Sequence, residues 1–86
     1  MIQRISEPVS VTATYDASGR AARPVSLQWG KQVYDVPQMG LRHSYKEGNV
    51  RHHVFSVVGG NLFFRLNLNA DTLNWTLEEI SDGLPD

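Results

Sequence analysis

Between Val54 and Leu68, two apolar runs of strand length flank Gly59-Gly60-Asn61. A Gly-Gly or Gly-Asn pair supplies the positive φ that a tight hairpin turn demands, so this stretch reads as a β-hairpin. A loop of Gly59 and Gly60 sets Val57 opposite Leu62 and Phe55 opposite Phe64. A loop of Gly60 and Asn61 sets Val57 opposite Phe64 instead. Under either register Phe55, Val57, Leu62, Phe64, Leu66 and Leu68 share one face, because side chains alternate along a strand. That face is the expected core.

The same alternation recurs along the chain. Met1 to Glu7 reads as a lead-in, and from Val9 to Tyr15 apolar positions alternate with Ser10, Thr12 and Thr14, the pattern of a half-buried strand. Residues 16–20 have turn composition. Val25, Leu27 and Trp29 alternate up to Gly30-Lys31, and Tyr34 and Val36 follow. Glycine at the first loop position favours a type II′ turn, which sets Leu27 opposite Tyr34 and Val25 opposite Val36. Pro37 to Gly40 breaks the pattern. Leu41, His43 and Tyr45 alternate again before a turn at Lys46-Glu47-Gly48-Asn49 and a return strand from Val50 to Val58. This register pairs Tyr45 with Val50 and His43 with His52.

Asn69-Ala70-Asp71-Thr72 is the last turn signal. A four-residue loop there sets Leu73 opposite Leu68, Trp75 opposite Leu66 and Leu77 opposite Phe64, so 73–79 reads as the closing strand. The rival is a helix, because Leu73, Leu77, Ile80 and Leu84 also fit helical spacing, with Asp71 to cap it and Gly83 to end it. About six strands with short turns and one greasy face make an all-β fold. The expected forms are a small SH3-like or OB-like barrel, or a strongly curled antiparallel sheet.

At 86 residues the chain is one domain, with flexible ends expected at 1–7 and 81–86. A domain of this size has a thin stability margin. The absence of cysteine excludes disulfides, thiolate metal sites and cysteine nucleophiles. With 41% hydrophobic and 20% charged residues the composition is that of a globular protein. No apolar run approaches the ~18 residues of a membrane span. The first ten residues lack the apolar segment of a signal peptide, so no membrane contact and a cytoplasmic location are expected.

The order of landmarks resembles a family of small uncharacterised bacterial domains with a Trp-x-Gly-x-x-Tyr-x-Val hairpin and a closing Trp-x-Leu-x-x-Ile strand. Here the first piece runs Leu27-Gln28-Trp29-Gly30-Lys31-Gln32-Val33-Tyr34-Asp35-Val36, and the last is Trp75-Thr76-Leu77-Glu78-Glu79-Ile80. Leu27 stands where the family has an aromatic, and the glycine follows Trp29 directly. The resemblance implies the fold and a closing strand. Some members accompany error-prone DNA polymerase genes, which implies a loose link to DNA repair. The family has no assigned activity.

The formal net charge of −1 gives no global field for nucleic acid. Its distribution is uneven. Positions 42–53 hold the cations Arg42, Lys46 and Arg51, three histidines and the single acid Glu47, whereas 78–86 holds four acids and no base. On the expected register the face opposite the core carries Leu41, His43, Tyr45, Val50, His52, Val54, Phe63 and Arg65. Bases of single-stranded nucleic acid stack on rings while cations hold phosphates. Tyr45, Phe63 and Arg65, with His43 and His52 and flanked by Lys46, Arg42 and Arg51, are therefore the candidate binding residues. An apolar patch of this kind more often marks a protein interface, with a protein partner or a second copy of the chain.

A cross-strand His43–His52 pair is a fragment of a metal site, but His53 points the other way and no carboxylate completes the three or four ligands zinc takes. Ser44 and Ser56 lack a Gly-x-Ser-x-Gly setting. Glu78 and Glu79, adjacent on a strand, are expected on opposite sides and so form no carboxylate pair. Arg65 is in reach of either across the sheet. Gly59-Gly60 is followed by no helix and is not a phosphate loop. The expectation is a non-enzymatic binding or accessory module without catalytic residue, metal or cofactor. It acts by protein–protein or self association through the outer sheet face or an edge strand or, alternatively, by binding single-stranded nucleic acid or another polyanion on the aromatic and basic sheet face.

Overall fold

The computed structural model describes residues 1–15, 17, 22–36 and 38–83. The turn expected at 16–20 lies outside the described residues save for Ala17, as do Pro37 and 84–86. The described chain is all-β, with seven strands and no helix. They are β1 (Ile2–Tyr15), β2 (Ala22–Trp29), β3 (Gln32–Asp35), β4 (Gln38–Glu47), β5 (Val50–Gly59), β6 (Leu62–Asn69) and β7 (Trp75–Ser81). They form one antiparallel sheet in the order β3-β2-β1-β7-β6-β5-β4. Its edges β3 and β4 do not pair, so the sheet is curled and open rather than a closed barrel.

β1 begins at Ile2, well before Val9. Its first half lacks alternation because both sides are largely exposed there, and the ladder to β7, from Ile2 opposite Ser81 to Val9 opposite Trp75, holds it instead. From Ser10 onward β1 pairs with β2. The strand thus divides its partners near Val9, and there the β2–β3 hairpin turns back over the inner face of β5 and β6. Leu27 and Val36 join Phe55, Val57, Phe64, Leu66, Leu68 and Leu77 in one buried cluster. The Tyr34 and Phe64 rings lie 4.9 Å apart, and those of Phe55 and Trp75 5.4 Å. Phe64 is 2% exposed and Phe63 48%, so inside and outside fall as the alternation predicts.

Three hairpins share one turn chemistry. Gly30, Gly48 and Gly60 each take φ near +62° at the first loop position, and no positive φ follows at Lys31, Asn49 or Asn61. This is the type II′ geometry. Leu27 therefore faces Tyr34 as expected, and Val57 faces Phe64. Gly59 stays in the strand opposite Leu62, at a place that admits no side chain because a Cβ there would meet the Asp35 carbonyl oxygen at 2.5 Å. In the β4–β5 hairpin the loop is Gly48-Asn49 alone, so Tyr45 faces His52 and His43 faces Val54, two residues from the expected pairing.

The last turn also differs. Asn69 N–H donates to the Asn74 carbonyl, and the Asn69 side chain accepts from Asp71 and Thr72 N–H, so the loop is 70–73. Leu73 sits in that loop with φ +63° and 64% exposed, not in the core opposite Leu68. Trp75 faces Leu68 and Leu77 faces Leu66. Both keep their place on the core face.

Candidate functional site

The outer face of β4–β7 is less apolar than the sequence suggests. Asn67, opposite Val54 on β6, is 7% exposed and stands at the centre of a polar cluster. Its Nδ2 donates to Glu78 Oε2 at 2.8 Å and to the Tyr45 hydroxyl at 3.0 Å. A carboxylate only accepts, so the amide nitrogen must face Glu78. The amide oxygen is left for His52 Nδ1 at 2.9 Å, and that nitrogen therefore carries the hydrogen. His52 stacks on Tyr45 with centroids 5.0 Å apart and planes within 10°. The cluster roofs Val54, which is 3% exposed and so no part of an apolar surface.

Glu78 joins this face because of a bulge. Arg65 faces Glu79 and Leu66 faces Leu77, so Glu78 is the extra residue of β7. A bulge sets two residues against one and breaks the alternation. Glu78 reaches Asn67, and Glu79 reaches Arg65 at 3.7 Å on the same side. The expectation that the two glutamates oppose each other is thus overturned. On β1 the partner irregularity falls between Arg4 and Glu7, where Ser6 has φ +54°. Asn67 escaped sequence reading, and so did its bond to Glu78, a residue the sequence offered only as a partner for Arg65. The available signal was an asparagine, a poor strand former, within the Leu66-Asn67-Leu68 run.

Of the candidate residues, Tyr45, His52, His43 and Arg65 share the outer face, with Phe63 at its far end beside Ser81. Lys46 and Arg51 do not join them. They face each other across β4 and β5 on the core-facing side, with Ser44 opposite His53 and Arg42 opposite Phe55. Arg51 Nη1 donates to Ser44 Oγ at 3.4 Å. Partial burial lowers the His53 imidazole from its usual value of 6.5, and the charges of Arg51 and Arg42 lower it further. The cations thus gather as a strip beside the core's open end. The carboxylates of Glu78 and Glu79 sit on the other side of the sheet.

The backbone of β4 completes the site. With a two-residue loop, Glu47 and Val50 form a hydrogen-bonded pair, and such pairs alternate along an antiparallel ladder. Tyr45 and His43 therefore bond β5, while Arg42, Ser44 and Lys46 aim N–H and C=O away from it. The bond from Ala70 N–H to the Arg51 carbonyl, 2.9 Å, fixes this phase: Arg51, opposite Lys46, turns its carbonyl from β4. β4 ends the sheet, and among the described residues nothing bonds these outward groups. The bulge between Met39 and Arg42 limits the regular edge to 42–47.

Among the described residues no group of three or more His, Asp or Glu side chains is placed to hold a metal. A shallow depression of about 250 Å³ at the bend of β1 is lined by Pro8, Val9, Ser10, Gln28 and Gly30 and presents no charged side chain. No helix among the described residues is long and apolar enough to cross a membrane. No protein-family model, curated protein or solved structure matches this chain.

Proposed function

We propose that the protein is a non-enzymatic binding module that takes up an extended protein segment along the free edge of β4. One observation carries this reading: the outward N–H and C=O groups of Arg42, Ser44 and Lys46 form a row without partners among the described residues. A segment laid along that row gains main-chain bonds, as in strand addition. Open edges invite such pairing unless they are shortened or covered. The residues that carry the family resemblance support the architecture alone, because Trp29, Tyr34, Val36, Trp75, Leu77 and Ile80 all belong to the core or pack on it.

Stacking of single-stranded nucleic acid on the outer face has less support. Glu78 and Glu79 lie beside its rings, and Lys46 and Arg51 lie behind them. Edge and face separate by mutation. Ser44→Pro removes one outward N–H and leaves the β4–β5 ladder intact. Phe63→Lys alters the outer face alone. A partner cross-linked to the wild-type chain is expected to be lost with Ser44→Pro and kept with Phe63→Lys. The reverse result would refute the edge.

A further inference from the structure

The edge of β4 is not chemically neutral, and its chemistry selects the occupant. The three residues that offer outward backbone groups, Arg42, Ser44 and Lys46, all turn their side chains to the core-facing side. Arg51 and His53 stand behind them on β5, on that same side. Glu47, the single acid of 42–53, belongs to the opposite side with Tyr45 and His43. Lys46 and Arg51 are directly opposite, an arrangement of like charges that costs stability until an anion relieves it.

A second copy fits this edge poorly. In an antiparallel two-fold pairing, the hydrogen-bonded positions of both copies are 42, 44 and 46. Their side chains come to one side of the joined sheet, and the two cation strips lie flush. No register among those positions supplies an acid.

We infer that the occupant is an acidic extended segment of another protein, with carboxylates at alternate-but-one positions facing Arg42 and Lys46 and a small residue facing Ser44. Its intervening side chains lie beside His43 and Tyr45 and are apolar or aromatic. This inference rests on strand addition at β4 and adds the sequence pattern that the edge accepts.

The test uses the full chain and three capped heptapeptides: Val-Glu-Val-Thr-Val-Glu-Val, its Gln counterpart and its Lys counterpart. Two exposed charge pairs give the Glu peptide about tenfold tighter binding than the Gln peptide at low salt, less at high salt. The double variant Arg42→Glu/Lys46→Glu is expected to prefer the Lys peptide. Hydrogen exchange at the amides of Arg42, Ser44 and Lys46 should slow when the Glu peptide binds, a readout that needs no variant to fold. If all three peptides bind equally and these amides are protected, strand addition stands and the acidic preference is overturned. If the Glu peptide binds without protecting them, and oligo-dT competes, the strip is a polyanion site and both readings fall. If no peptide binds at millimolar concentration, both fall as well.

Discussion

The two edges of the sheet are built to opposite ends. β3 has four residues and β4 has ten. Past the end of β3, Val36 N–H donates to the Val25 carbonyl at 2.9 Å, and the Asp35 carbonyl presses on Gly59 of β5. Its Tyr34 packs on Phe64. That edge is short and folded over the core. β4 is exposed along almost its whole length and pairs with β5 alone. Only Val36 and Pro37 separate Asp35 from Gln38, a reach of about 11 Å, so the two edges come near each other and still do not pair.

The sharpest way to break the comparison is at the closed edge. In Gly59→Ala the added methyl meets a backbone oxygen, which has no rotamer to give way. A loss of about 3 kcal/mol, the upper end for overpacking, is expected in urea denaturation. Gly48→Ala, in the β4–β5 turn, has nothing within 4 Å of the new methyl and pays only for its positive φ, about 1 kcal/mol. Equal losses would mean that the β3 contact adds nothing.

Next in size is the polar roof. Asn67→Ala leaves Tyr45, His52 and Glu78 without their shared partner, and about 2 kcal/mol should be lost. The hydrogen exchange of β4 should also quicken, since Tyr45 is the side chain that ties that strand to the roof. An unchanged midpoint would show that water replaces the amide at no cost.

The smallest effect is electrostatic. The His53 pKa is lowered in the folded state, so the unfolded chain takes up more protons as pH falls below about 6.5. The stability linked to His53 is complete above that pH and is lost as pH falls through the lowered folded value. Urea midpoints at pH 7.5 and 5.5 should differ in that direction. Arg51→Gln should move the His53 titration, followed by NMR, back toward its usual value and shrink the difference. Burial, the larger cause, remains in that variant.

Where local chemistry decides, the chain is legible from its sequence. Glycine at a first loop position announces a II′ turn, and strands alternate about the Phe55, Phe64 and Leu66 face. The choice between Gly59 and Gly60 as loop start is not legible, because either glycine can take the positive φ of the turn, and the Asp35 carbonyl that demands glycine at 59 arrives from another hairpin. Leu73 misled because hydrophobicity suggested burial, whereas the Asn69 side chain closes the loop around it. The candidate face was half legible. Tyr45 and His52 share a side under any even register. The Glu78 bulge depends on its neighbour β1, whose irregular stretch at Ser6 carries no signal in residue type.

The divided allegiance of β1 has a consequence for synthesis. Its first half is matched by β7, the seventh strand in chain order, so the other five strands are all made between the two partners. The hairpins between β2 and β7 can zip as they emerge, but Ile2 through Val9 must wait unmatched until β7 has been made. A nascent chain stalled after Asn69 would therefore display two unsatisfied ladders at once, β6 and the leading half of β1. That is the moment at which a chaperone has most to protect.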